Sequence, residues 1–358
     1  MQEPLEGVSP ARALAPPPAG SLRHAATLLP LGVATRFEAD SAELLATVQT
    51  AYDEARAEES PAPGPGGRGA SAIPRVVLLS GTERADAPGS DGGAPLRVAA
   101  DRDLLLLDAP DALGRARRTG MAAVARLAPA LLATPERLHA VLDALVLFLL
   151  TPLDRQPVHA AAVAHGGAGL ALAGRGGAGK STLAYAALAA GLDVQGDDAV
   201  YVQLEPAPRV WTLRRPLHLA PEAARWFPEL AGRPAVLRAN GKRRIAVMPA
   251  ARTAPDAPPP AAGWKGGAAV PPLTAVRTWG LCVLERVPGA APGAVPIAAE
   301  DAVAHVVTNL EPGFDVWRET IGARVAALAR GGAWRLRVGD DPRAAVPVIR
   351  ELLGRVTG

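Results

Sequence analysis

The run from Gly169 to Thr182 constrains this 358-residue chain more than any other stretch. A short apolar segment, Leu170 to Ala173, enters a turn holding Gly174, Gly176, Gly177 and Gly179. Arg175 and Ala178 complete the turn, which ends on Lys180, Ser181 and Thr182. The alanine-rich segment from Leu183 to Ala190 then has helical composition. Strand, glycine-rich turn and helix in this order make up a phosphate-binding loop. Glycine reaches positive φ without steric penalty, so the backbone can curl tightly. A curled backbone aims successive N–H groups inward as an anion nest, and the following helix adds the positive end of its dipole. In such a loop Lys180 reaches the outer phosphates of a nucleotide and the Ser181 hydroxyl suits Mg²⁺. Lysine occurs at only three positions, Lys180, Lys242 and Lys265, in a chain that otherwise uses arginine. A compact ammonium suits this position, although codon bias toward arginine and alanine would also make lysine scarce.

Composition narrows the function classes. Net charge is +3, too small for this length to point to nucleic acid or an anionic membrane as partner. The basic clusters at 115–118 and 242–244 are short, as on ordinary solvated faces. One cysteine, Cys282, excludes an intramolecular disulfide framework and a cysteine-rich metal site, and suits a reducing cytoplasm. The first 20 residues are rich in Pro and Ala and lack the continuous apolar core of a secretory signal. The apolar run from Ala144 to Leu150 is too short to span a bilayer.

The elements suggest an α/β protein in two parts. Residues 1–20 read as a disordered tail, and residues 21–132 as a small N-terminal α+β domain. Within it, Gly32 to Ala39 alternates like a strand, Asp40-Ser41 caps a helix over 42–57, and 96–107 is a strand pair around Asp101-Arg102-Asp103. Gly120 to Leu132 reads as helix. Thr134-Pro135-Glu136 opens a helix to about Leu150, taken as the start of a second domain over 133–358. There, strands at 158–164, 170–173, 199–204, 210–213, 276–284 and 334–338 alternate with helices at 221–230, 300–310, 316–330 and from Asp341-Pro342 onward. Asn240-Gly241 signals a hairpin, and 252–272 is a long Pro/Ala/Gly loop, which suggests mobility.

Two acids, Asp197 and Asp198, follow the loop helix and a short apolar step. Near a bound nucleotide, one carboxylate can hold Mg²⁺ while the other accepts the proton of an attacking hydroxyl. Gly-Asp-Asp is equally good solvated-turn chemistry, and spacing alone does not choose. His159 precedes the strand pair that leads into the loop and falls near one end of any site there; His165 and His218 lack metal-ligand spacing and read as structural. The tip 239–244 carries Lys242, Arg243 and Arg244, either as cations for a transferring phosphate or for the acceptor, or as an ordinary basic hairpin tip. Trp211, Trp226 and Trp264 could stack an adenine, but fit a core or surface role better.

Val158-His159-Ala160-Ala161-Ala162-Val163, the loop 174–182, and the segment from Gly191 through Asp197-Asp198-Ala199-Val200 together resemble the catalytic core of HPr kinase/phosphorylase. That core is related to the phosphate-loop core of ATP-dependent phosphoenolpyruvate carboxykinases. The resemblance is close over 158–200 and weaker over 275–353. It implies a C-terminal P-loop core of this type that binds ATP and Mg²⁺ and transfers the γ-phosphoryl group to a hydroxyl. By the same resemblance, residues 174–182 hold the phosphates, Ser181 and Asp198 the metal, Asp197 is the base, and His159 lines the site. The family's downstream Glu-x-Arg-Gly signature has no counterpart here; Arg214-Arg215-Pro216 and Glu222 occupy that region. HPr as substrate does not follow, nor does phosphorolysis. The acceptor class stays open among a protein serine, a peptide and a small molecule, as does assembly into a homo-oligomer. A nucleotide-dependent switch and an ATPase without acceptor are the competing functions.

Overall fold

In the computed structural model, the described residues are 14–52, 73–81, 96–213, 215–237, 242–248, 276, 278–310 and 317–356. The fold is mixed α/β, and it divides into two compact units, Met1–Arg155 and Gln156–Gly358. The hairpin at Asn240-Gly241, the loop 252–272 and Trp264 lie outside the described residues.

The first unit contains the strands β1 (His24–Leu28), β2 (Thr35–Ala39), β3 (Arg75–Ser80), β4 (Arg97–Ala100), β5 (Leu104–Ala109), β6 (Ala112–Arg117) and β7 (Ala122–Leu127). They form one sheet in the order β1-β2-β3-β7-β6-β5-β4, parallel at β2–β3 and β3–β7 and antiparallel elsewhere. Helix α1 (Ala42–Tyr52) links the parallel pair β2 and β3, as a parallel connection requires. Ser41 Oγ accepts the Leu44 N–H at 3.1 Å, so the expected cap forms. Asp40 instead accepts the N–H and hydroxyl of Ser80 at 2.7 and 2.8 Å, pinning the helix start to the end of β3.

Four expectations change here. Residues 120–132 are not one helix. The chain turns at Gly120 (φ +94°), enters β7, and only 129–132 is helical. β7 lies between β3 and β6, and ladder hydrogen bonds on both sides outweigh the helical preference of its alanines. Helix α2 (Pro135–Leu150) packs on β5, β6 and β7, so it belongs to the first unit, and the division falls at 155–156 instead of 132–133. The Thr134 side chain does not cap it. Residues 14–20, read as tail, are tied down: Arg115 donates to the Leu14 carbonyl, and Arg75 to those of Pro17 and Pro18. Arg75 also pairs with the fully buried Glu38 at 2.7 Å, and that pairing holds the Glu38 carboxyl below its ordinary range despite burial.

The second unit is built around the strands β8 (Gln156–Val158), β9 (Ala160–His165), β10 (Ala168–Ala173), helix α3 (Lys180–Ala189), β11 (Asp193–Gly196), β12 (Val200–Gln203), β13 (Arg209–Trp211), β14 (Leu217–Leu219), β15 (Val236–Leu237), β16 (Arg243–Val247) and β17 (Thr278–Arg286). β18 (Gly293–Pro296), α4 (Ala299–Thr308), α5 (Ile321–Leu328), β19 (Ala333–Val338) and α6 (Val346–Arg355) complete it. The helix expected over 316–330 is therefore shorter, and the segment 221–230 folds as two 3-10 turns.

The main sheet runs β11-β9-β10-β17-β19-β18, with β10, β17 and β19 parallel at its centre. Side chains alternate along each strand and sort into two cores. Leu170, Leu172, Cys282, Leu284, Trp334 and Leu336 face α3 and α6, while Ala171, Ala173, Leu281, Val283 and Ala333 face α4 and α5. Both faces are covered, which explains why these strands read as continuous apolar runs. Two three-stranded sheets, β13-β12-β8 and β14-β16-β15, flank this framework. Among the described residues no helix is long and apolar enough to cross a membrane.

Candidate functional site

The glycine-rich turn leaves the sheet at the carboxyl end of β10, the usual side for ligands in a sheet with parallel strands. Gly174 sits where a Cβ would lie 3.1 Å from Ala178 Cβ and 3.2 Å from Leu284 Cβ, so a side chain there would push the loop and β17 apart by a few tenths of an ångström. Gly177 and Gly179 hold φ of +84° and +96°, a left-handed conformation that side chains disfavour. Gly179 is the N-cap of α3, and no side chain caps this helix start. Lys180, at the first helical position, is 7% exposed and donates from Nζ to the Gly174 carbonyl at 2.7 Å. The ammonium is thereby folded back over its own loop.

The acids arrive from β11. Its pairing with β9 slips between Val194 and Gly196, an irregularity that redirects the chain just before Asp197. Asp197 is 7% exposed, and its Oδ2 accepts the backbone N–H of His218 in β14 at 2.9 Å. Asp198 behaves differently: its side chain is 84% exposed, and Oδ1 lies 3.5 Å from His159 Nε2. β8 and β12 produce that proximity. Val158 pairs with Val200, so the residues just beyond the pair, His159 and Asp198, meet.

These groups share one cavity of about 500 Å³. Gly176, Gly177, Gly179, Lys180, Ser181 and Thr182 line it from the loop, and Asp197, Asp198 and His159 line it from the β8–β12 side. The acidic pair therefore lies beside the lysine-bearing loop, and the doublet is not an isolated solvated turn. Gly174, Arg175 and Ala178 are not among the lining residues. Gly174 contributes the carbonyl that receives Lys180, and the exposed Arg175 helps hold the His305 pKa below its ordinary value.

The sequence marks part of a further wall, Lys242, Arg244 and Trp226, and gives no sign of the rest. His218 from β14, Glu222, Arg225 and Trp226 from the 221–226 segment, Lys242 and Arg244 at β16, and Arg286 at the end of β17 all line the cavity. His218 acts through its backbone, which no histidine spacing would reveal. Arg286 follows from sheet order alone: β17 runs parallel to β10, so its last residue emerges beside the loop. Arg225 lies over the Trp226 ring at 3.7 Å, so Trp226 stacks a guanidinium here.

The donors suit a polyphosphate: an uncapped helix start, an ammonium and two hydroxyls lie together in one cavity. The acceptors suit a hard divalent cation, since carboxylate and hydroxyl oxygens are Mg²⁺ ligands. No group of three His, Cys, Asp or Glu side chains that could hold a metal occurs among the described residues. A Mg²⁺ site here would therefore draw further ligands from bound phosphate and water, as Mg²⁺ sites commonly do. No protein-family model matches the chain, and no curated protein matches it.

Proposed function

We propose that the chain is a kinase resembling HPr kinase, with a P-loop at 174–182, that transfers the γ-phosphoryl group of ATP to a hydroxyl in the presence of Mg²⁺. One observation carries the reading: Lys180, Ser181 and Thr182 share a cavity with Asp197 and Asp198. A pure nucleotide holder needs the first group and has no use for a second, buried carboxylate fixed by a backbone N–H.

ATP would supply the phosphoryl group, and Mg²⁺ would neutralise charge between its outer phosphates. Residues 176–182 would hold the phosphates through N–H groups and hydroxyls, and Lys180 would exchange the Gly174 carbonyl for a phosphate oxygen. Ser181 and Asp198 would hold the metal, with His159 orienting Asp198. Asp197, held by the His218 N–H, takes the hydroxyl proton. As that proton leaves, the acceptor oxygen bonds to the γ-phosphorus and the bridging P–O bond breaks, releasing ADP. Most of the acceleration comes from positioning and charge.

Incubation with γ-labelled ATP and a lysate tests this. Label on an acceptor is expected; release of all label as free phosphate, or intact ATP, would overturn it. Lys180→Ala should lose nucleotide affinity. Asp197→Asn should keep that affinity and lower transfer by about 10²–10⁴-fold.

A further inference from the structure

The kinase reading uses Lys180, Asp197 and Asp198 and leaves other charges of the same cavity unassigned. Arg225, Arg244 and Arg286 all line it. Elsewhere in the chain arginines find carboxylates: Arg75 with Glu38, Arg137 with Asp111, Arg343 with Asp341. Among the described residues, no carboxylate pairs with the three cavity arginines. Arg225 is stacked on the Trp226 ring, and Arg244 donates only to the Arg243 carbonyl at 3.1 Å. Among the described residues, Glu222 is the single carboxylate on their wall, and it pairs with none of them. Like charges gathered in a concave site repel one another until an anion joins them. A guanidinium also presents the planar fork that matches carboxylate and phosphate oxygens.

Placement separates these arginines from the nucleotide loop. Arg225 and Arg244 belong to the wall formed by β14, the 221–225 turn and β16, whose elements pack together. That wall also supplies the His218 N–H that fixes Asp197. In the kinase reading, a hydroxyl giving its proton to Asp197 shares one cavity with this wall, and the rest of the acceptor extends toward the arginines. The cavity, about 500 Å³, has room for the phosphates and the reacting end of an acceptor together.

Resting on the kinase reading, we infer that the acceptor is a small hydroxylated oxyanion, a phosphate monoester or a carboxylate, gripped by Arg225 and Arg244 beside Asp197. The full chain, loaded with Mg²⁺ and a non-hydrolysable ATP analogue, is titrated calorimetrically with glycerol 3-phosphate, glycerate and glycerol. Binding of one or both anions and none of glycerol is expected, and the stronger anion names the headgroup. Arg225→Gln and Arg244→Gln should each weaken that anion about tenfold, the loss of one charge-assisted contact. The same variants should bind the ATP analogue within about twofold of the parent, which also shows that they are folded. Equal, negligible binding of all three compounds would overturn the inference. So would loss of analogue affinity in the arginine variants, since the arginines would then serve the nucleotide. Binding of an acidic serine peptide in place of the small anions would overturn the small-molecule class. Failure of the kinase reading has a separate signature: the parent chain would not bind the analogue at all.

Discussion

His305 on α4 illustrates how single side chains feel this fold. Burial pushes its pKa below 6.5, Arg335 and Arg175 push it further, and Glu285 opposes them. The neutral ring is therefore favoured in the folded protein, while the unfolded chain protonates near the ordinary value. The folded pKa is the depressed one, so stability is full above about pH 6.5 and falls as pH drops toward the folded pKa. Urea midpoints at pH 7.5 and 5.5 should differ less for His305→Gln than for the parent; equal differences would contradict the assignment. Tyr185 is a second case. Burial raises its pKa to about 12, helped by its hydrogen bond to Glu229 at 2.9 Å, and its ring meets Phe227 edge-on at 4.8 Å. Tyr185→Phe keeps the ring contact and loses the bond, so urea denaturation should show a loss of about 0.5–1.5 kcal/mol. At this scale the sequence exposed Lys180, Ser181 and the 197–198 pair, because their chemistry is carried by local spacing. It missed Arg225, Arg286 and the His218 N–H, because each joins the cavity through a partner strand or turn distant in sequence.

Elements show where local preference yields to the sheet. The alanine-rich stretch 122–127 has helical composition and becomes β7, since Gly120 turns the chain back onto β6 and β3 takes the other edge. The β10–β17 ladder shows the complementary effect, in which large side chains demand small neighbours. Gly169 pairs with Trp279, and a Cβ there would come within 2.8 Å of the indole. At Gly280 on β17, a Cβ would fall 2.7 Å from the Trp334 ring, 3.0 Å from Leu170 and 3.0 Å from Val356. These contacts are to the Trp334 ring and to the side chains of Leu170 and Val356, which must shift to admit a methyl group. Gly280→Ala should therefore destabilise the chain by about 1–3 kcal/mol by overpacking, measured by chemical denaturation. An unchanged midpoint would mean that the indole can move. A glycine inside an apolar run reads in sequence only as a weak strand; its steric purpose depends on which strand lies alongside.

Across the whole molecule, the single thiol reports on global unfolding. Cys282 is fully buried at the centre of the second unit's main sheet, and burial pushes its pKa far above the ordinary range. A thiol-specific reagent should leave it unmodified in the native chain and label it stoichiometrically in denaturant, with a rate in between that tracks unfolding. Rapid native labelling would show that the sheet opens locally. The division of the chain was only partly legible. The Pro residues after Leu150 were visible, but the owner of helix α2 was not, because an amphipathic helix carries no label for the sheet it covers. The sequence by itself determined the glycine-rich turn, its lysine and hydroxyls, the acidic pair and the mixed α/β class. All of these follow from contiguous residues and from backbone preferences that act over a few positions. Tertiary structure alone decided that the acids open onto the same cavity as the lysine, that a β14 amide holds one of them, and that unpaired arginines complete the wall. Those juxtapositions depend on strand order and register, which are set by burial across the whole sheet and leave no mark on any short window of sequence.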